Sequence, residues 1–208
     1  MDEIEDKINK YYASKILQYG CSPKGVDWNS YESQLLRFIQ LLKVISDYNY
    51  FKINDLGCGY AELLTFMVEN DFDNFFYRGY DLSIDMIDAG KSNKLIGKQH
   101  KLFHIKDVNE LFISDYTIAS GIFNVCFDFN KSIWEKYMFK TLDKINLKSE
   151  KGFSFNCLTK YSDKEKMKSN LFYSDPCFLF DFCKKNYSNN VSLLHDYGLF
   201  EFTIIVRK

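Results

Sequence analysis

The stretch Ile53-Asn54-Asp55-Leu56-Gly57-Cys58-Gly59-Tyr60-Ala61-Glu62-Leu63 decides how this chain folds. Ile53 to Leu56 reads as a short strand, Gly57-Cys58-Gly59 as a tight turn, and Glu62 to Val68 as the first turns of a helix. A glycine turn between strand and helix lets a ligand approach the backbone, because no Cβ stands in the way. A second marker, Asp81, ends the strand-like run Tyr77-Arg78-Gly79-Tyr80 and lies 26 positions after Asp55. An acid at the end of the next strand, roughly 20 residues past a glycine turn, is placed to accept hydrogen bonds from a ribose diol. The two features together point to an adenosine-type ligand.

On these residues the sequence resembles the class I S-adenosylmethionine-dependent methyltransferases, in particular small bacterial single-domain members. The run Asp55 to Leu63 resembles their first motif, and Tyr77 to Ile87 resembles the second, whose acid holds the ribose. Two positions depart from the pattern: Ala61 stands at the third glycine, and Asn54 replaces a common apolar residue. Alanine is nearly as small as glycine, so neither departure is disabling. The likeness runs from about Gly25 to the C-terminus. It implies S-adenosylmethionine as cofactor and S-adenosylhomocysteine as product.

Composition agrees with a globular chain. Hydrophobic residues make up 46% and charged residues 26% of 208, a length that suits one domain. The net charge of −1 provides no field toward nucleic acid or an anionic membrane. No apolar run approaches the roughly 18–20 residues of a membrane helix, and the charged start MDEIEDKINK lacks a signal-peptide core. Six cysteines are scattered without a CxxC pair, which reads as reduced cytoplasmic thiols with no zinc or other metal site.

Residues 1–50 read as a helical cap and 51–208 as an α/β core of the Rossmann-like, doubly wound kind. Met1 to Lys10 reads as a mobile end or short helix, Tyr11 to Tyr19 as an amphipathic helix, and Tyr31 to about Ser46 as a second one capped by Ser30. Strands near Ile53, near Tyr77, and over Leu102–Ile105, Asp115–Ser120 and Gly152–Leu158 alternate with helices. The helices cover Glu62–Glu69, Ile84–Lys91, Trp134–Ile145 and Pro176–Lys185. That alternation predicts a mainly parallel sheet covered on both faces. Val191–Tyr197 and Leu199–Val206, joined only at Gly198, predict an antiparallel hairpin.

Ligands of open α/β sheets bind at the carboxyl ends of the parallel strands. Asp55, Gly57, Cys58, Gly59 and Asp81 fall on that edge, and Leu82 and Met86 offer apolar contacts beside a base. Asp81 could instead cap the following helix, but Ser83 is available for that. The resemblance assigns Asp107, with Val108 beside it, to the adenine amine; the alternative is a loop aspartate. It puts the methyl acceptor at Ser120-Gly121-Ile122-Phe123-Asn124, where Ser120 borders the cofactor and Phe123 and Asn124 touch substrate. It also lets an N-terminal Trp28 cover the methionine part and Arg37 pair with its carboxylate; packing and a surface ion pair are the alternatives. Neither the Asn/Asp-Pro-Pro-aromatic motif of DNA amino-methyltransferases nor a Pro-Cys nucleophile stands after strand four. Pro176-Cys177 follows strand five and reads as a helix start.

Two clusters bear on the acceptor. Thr159 to Tyr173 is lysine-rich, with Lys160, Tyr161 and Tyr173 able to line a lid over an anionic substrate, or to form a solvated loop. His195, followed by Asp196 and Tyr197, lies at the hairpin turn, which shares the carboxyl edge. His195 is the candidate general base and Tyr197 a candidate substrate contact, against water-facing hairpin residues. The reading is an enzyme that methylates oxygen on a small polar metabolite, such as a sugar or nucleotide-linked precursor of surface polysaccharide. The rivals are a nicotinamide-dependent oxidoreductase, whose third fingerprint glycine is absent here, and a non-catalytic S-adenosylmethionine-binding protein.

Overall fold

A computed structural model describes residues 3–208. Its sheet has the strand order β3-β2-β1-β4-β5-β8-β7. The strands are β1 (Phe51–Leu56), β2 (Phe75–Asp81), β3 (His100–His104), β4 (Ser114–Ala119) and β5 (Ser149–Thr159), followed by β6 (Tyr173–Ser174), β7 (Asn190–Leu194) and β8 (Glu201–Arg207). β1 to β5 pair in parallel, and the two-residue β6 adds in parallel to the end of β5. β8 runs antiparallel between β5 and β7. This is the Rossmann-like, mainly parallel sheet that the sequence predicts.

The helices are α1 (Glu3–Tyr19), α2 (Tyr31–Leu42), α3 (Glu62–Glu69), α4 (Ile84–Gly90), α5 (Lys131–Lys148) and α6 (Pro176–Asn186). Their starts follow from local chemistry. Ser30, Asn130 and Asp175 each accept a hydrogen bond from a first-turn backbone N–H, satisfying donors that have no intrahelical partner. Ser83 caps α4 in the same way. The sheet's two faces are closed by separate apolar clusters. One joins α2 and α3 to β1 and β2 through Phe38, Leu41, Leu64, Met67, Ile53 and Tyr77. The other joins α5 and α6 to β5 and β8 through Trp134, Met138, Leu179, Phe153, Phe155 and Ile204. Trp134 is fully buried and donates its indole N–H to the Phe123 carbonyl at 3.0 Å, as a buried indole must.

Three expectations change. The N-terminal region is one continuous helix, α1, rather than a loose end followed by a helix at Tyr11; Met1 and Asp2 lie outside the described residues. Ile4, Ile8, Tyr12 and Ile16 recur every fourth position and all pack inward, which carries the helix through the charged run. The second helix stops at Leu42, and Lys43 begins a turn. The C-terminal strands are not joined at Gly198 alone: residues 195–200 form an exposed connection with Gly198 at φ +73° inside it. Among the described residues no helix is long and apolar enough to cross a membrane. All six cysteines are free thiols, with Cys58, Cys126, Cys157 and Cys183 buried.

Candidate active site

The turn after β1 is stitched to the end of β2. The N–H groups of Gly57 and Cys58 both donate to the Tyr80 carbonyl, at 2.8 and 3.1 Å. Gly57 and Gly59 have φ of +77° and +54°, the left-handed region that favours glycine. A Cβ on Gly59 would stand 2.8 Å from Val26 Cγ1, and one on Gly57 would run into Ile122 Cγ2. Ala61 also takes a left-handed conformation, φ +67°. Size alone therefore understates this departure: a left-handed alanine costs about 1–2 kcal/mol that glycine would not. Asn54 is fully buried, donates to the Phe112 carbonyl at 2.7 Å and accepts from the Ser114 hydroxyl at 2.8 Å. It ties β1 to the segment entering β4, a role for which an apolar side chain has no donor.

Two carboxylates frame this turn. Asp81 accepts from the Gly59 N–H at 2.9 Å through Oδ2 and from the Ser83 N–H at 2.8 Å through Oδ1. Each oxygen keeps a further lone pair for a hydroxyl. Burial raises the Asp81 pKa above the usual carboxylate value, opposed by those two backbone donors. Asp55 is buried behind the turn and accepts from the Tyr77 hydroxyl at 2.6 Å; burial pushes its pKa up to about 7.

A cavity opens from this cradle, at the point where the strand order reverses between β1 and β4. Ligands of doubly wound sheets bind there. Its floor is Asp55, Gly57, Cys58, Gly59 and Asp81; Leu82 and Met86 of the β2–α4 segment and Val108 form one flank, and Ser120, Gly121 and Ile122 the other. Trp28 covers it from the N-terminal side. Gln34 of α2, which precedes the first strand with Trp28 and Arg37 in the segment expected to cover the methionine part, lines it too, and several wall residues were not site candidates in the sequence: Glu5, Ile8 and Tyr12 of α1, Phe38 of α2, Tyr60, Glu62, and Tyr137 and Thr141 of α5. The spacing of Glu5, Ile8 and Tyr12 puts them on one helix face, the signal that could have found them. The Gln34 Oε1 and Ser120 Oγ atoms are buried and have no hydrogen-bond partner.

The comparisons with known proteins decide the family. No family model matches the chain. A Mycobacterium tuberculosis protein named "Putative methyltransferase Rv1506c" is 46% identical over 167 residues, spanning 80% of this chain and 99% of that one. Magnesium protoporphyrin IX methyltransferase from Synechocystis, crystallised with S-adenosylhomocysteine, superposes with a TM-score of 0.65 at 11% identity over 99% of this chain and 100% of that chain. The chain belongs to the class I S-adenosylmethionine-dependent methyltransferases. The N-methyltransferase NodS from Bradyrhizobium japonicum shares the fold, with a TM-score of 0.65 at 9% identity over 96% of this chain and 97% of that chain.

The other residues singled out in this methyltransferase's sequence stand outside the cavity. Arg37 is buried and binds Glu201 with two parallel hydrogen bonds, Nε–Oε2 at 2.8 Å and Nη2–Oε1 at 2.6 Å. Its Nη1 donates to the Ser33 carbonyl, and its guanidinium lies 3.9 Å from the Trp28 ring centre. Glu201 also accepts from Asn156, whose own oxygen accepts from the Gly121 N–H. Arg37 thus braces Trp28 and the turn after β4, and its guanidinium is committed to Glu201 rather than to a cofactor carboxylate. Asp107 is not among the residues that line the cavity. It caps the short turn Val108–Glu110 and contacts Lys144 Nζ at 2.9 and 3.0 Å.

The proposed substrate residues are also engaged elsewhere. Phe123 is a fully buried core side chain, and Asn124 accepts from the Leu158 N–H. Lys160 pairs with Asp175 at 2.7 Å, the Tyr173 hydroxyl accepts from the Lys168 N–H, and the Tyr197 hydroxyl meets Thr203. Tyr161 is exposed, with its ring 6.1 Å from His195, which is exposed too. β7 stands three strand spacings from β4, roughly 14 Å at about 4.8 Å each. A residue at the end of β7 reaches the right edge of the sheet but not the cavity.

Proposed function

We propose that the chain transfers the methyl group of S-adenosylmethionine to a hydroxyl of a small, uncharged polar acceptor, of which a sugar or nucleotide-linked precursor of surface polysaccharide is one form. The observation that carries this reading is the charge of the cavity wall. Glu5, Asp55, Glu62 and Asp81 line it, and none of its described lining residues is Lys, Arg or His. A ligand with a sulfonium and an ammonium group complements a wall that carries acids and no described cation; the pyrophosphate of a nicotinamide dinucleotide would find no positive partner among those lining residues.

Within this reading, Asp81 accepts from the ribose hydroxyls. Gln34 Oε1, a buried acceptor without a donor, and Glu62 face the amino-acid end; burial and then Glu69 raise the Glu62 pKa. Trp28 and Ile122 exclude water from the flank where Ser120 Oγ can hydrogen-bond the acceptor hydroxyl. The cofactor supplies a methyl group already activated on a sulfonium. The chain's task is therefore alignment, worth several orders of magnitude in rate, with solvent taking the hydroxyl proton. The lysine-rich segment keeps its own ion pairs, Lys160–Asp175 and Lys166–Asp163, which favours an uncharged acceptor over an anionic one.

The test is turnover with methyl-labelled S-adenosylmethionine against matched sugars, amines and phosphorylated acceptors. Label on a neutral hydroxyl compound is expected. Label confined to amines or to phosphorylated acceptors would overturn the acceptor class.

A further inference from the structure

The amino-acid tail of the cofactor carries two charges, an ammonium and a carboxylate, and the cavity wall treats them unequally. The family resemblance gives the carboxylate to Arg37, but that guanidinium is committed to Glu201 and the Ser33 carbonyl. None of the described lining residues is Lys, Arg or His. The backbone of the turn adds little. The Gly57 and Cys58 N–H groups donate to the Tyr80 carbonyl, the Gly59 N–H to Asp81, and the Ala61 N–H to the Cys58 carbonyl. The dipole at the start of α3 attracts an anion, but Glu62 stands in that first turn and supplies the negative charge itself.

The ammonium, by contrast, meets a prepared partner. Gln34 is 3% exposed and lines the cavity, and its Oε1 is buried without a hydrogen-bond donor. A buried acceptor in that state is destabilising, and a ligand that brings a donor removes the penalty. Burial and then Glu62 raise the Tyr60 pKa, and a hydrogen bond from Gln34 to the Tyr60 hydroxyl opposes them. Gln34, Tyr60 and Glu62 therefore share one corner of the wall, next to the glycine turn. That corner offers an acceptor and a carboxylate to a cation.

We propose that the site holds the cofactor tail by its ammonium, through Gln34 Oε1, and leaves its carboxylate unread, so that adenosyl compounds with a plain aminopropyl tail bind as well as those with the full amino acid. This rests on the reading of the cofactor as S-adenosylmethionine and extends the ligand class of the same site to the decarboxylated form. Loss of the carboxylate removes no contact to a described cation, whereas loss of the ammonium strands the Gln34 acceptor.

The experiment is calorimetric titration with three ligands: S-adenosylhomocysteine, its decarboxylated analogue with an aminopropyl tail, and its deaminated analogue, which keeps the carboxylate. The wild-type protein should bind the first two within about threefold of each other and the deaminated form at least ~10-fold more weakly, the value of one hydrogen bond to a charged group. Gln34→Leu should weaken the two ammonium ligands at least ~10-fold and leave the deaminated one unchanged. A tenfold or larger loss on removing the carboxylate would overturn the proposal, and the wild-type series decides this even if the variant does not fold. Equal weakening of all three ligands by Gln34→Leu would reduce Gln34 to a structural residue. Weakening confined to the two ligands that keep the carboxylate would mean that the amide presents its N–H groups instead. If the wild-type protein binds none of the three, the cofactor reading itself falls, a result distinct from any failure of Gln34.

Discussion

The cradle after β1 and β2 and the connection after β7 end on the same edge of one sheet, yet only the first faces the cavity. In the cradle the polar groups are held by close neighbours: Gly57 and Cys58 by the Tyr80 carbonyl, Asp81 by the Gly59 and Ser83 N–H groups, and Asp55 by the Tyr77 hydroxyl. Residues 195–200 are largely exposed, and His195 has Tyr161 at 6.1 Å and Phe202 at 5.9 Å as ring neighbours. The edge rule locates a line along the sheet; distance from the point where strand order reverses chooses the place on it. The β8 side serves the cavity indirectly, through Glu201, Arg37 and Trp28.

The largest effect that separates the two regions is expected from Arg37→Ala. It leaves the Glu201 carboxylate buried without its cation, a change that costs about 3–5 kcal/mol. Chemical denaturation should show that loss. Unchanged stability with a large drop in S-adenosylhomocysteine affinity would instead give Arg37 the cofactor carboxylate.

A smaller effect tests the cradle through pH. With a folded pKa near 7, Asp55 keeps a proton in the native state that the unfolded chain releases above its ordinary carboxylate value. The native state binds more protons across that window, so stability is greatest on its acid side and falls as pH rises through it. Asp55→Asn keeps an acceptor for the Tyr77 hydroxyl and removes the titration. Melting temperatures at about pH 5 and pH 8 should fall more steeply for the wild-type protein than for the variant; parallel curves would mean Asp55 is ionised throughout.

The smallest effect belongs to His195. A positioned general base contributes roughly 10²–10⁴-fold, but at its distance from the cavity His195→Ala should change turnover less than about threefold. A loss of a hundredfold would bring the connection after β7 into the site.

What the sequence made legible follows the range of the interactions. The strand–glycine turn–helix unit and the acid ending the next strand are short-range patterns, and they placed Asp55, Gly57, Gly59 and Asp81 in the cavity. Ser83 and Ser30 were readable as caps because a cap acts within three residues. Asp107 and Arg37 were misplaced because their partners, Lys144 and Glu201, are 37 and 164 residues away in the chain. The fourfold spacing of Ile4, Ile8, Tyr12 and Ile16 was present, but the charges between them masked one helix as two segments. Glu5 shares a helix face with Ile8 and Tyr12, but its residue type pointed the other way, since a carboxylate defaults to water.

The central claim is that the turn after β1, closed by Asp81, holds the adenosine of S-adenosylmethionine. Calorimetric titration of the wild-type protein and of Asp81→Ala with S-adenosylhomocysteine tests it most directly. Two hydroxyls lose a charged acceptor in the variant, so affinity should fall at least ~10-fold, the equivalent of about 1.4 kcal/mol, with the fold intact by circular dichroism. Equal affinity in a folded variant would contradict the claim.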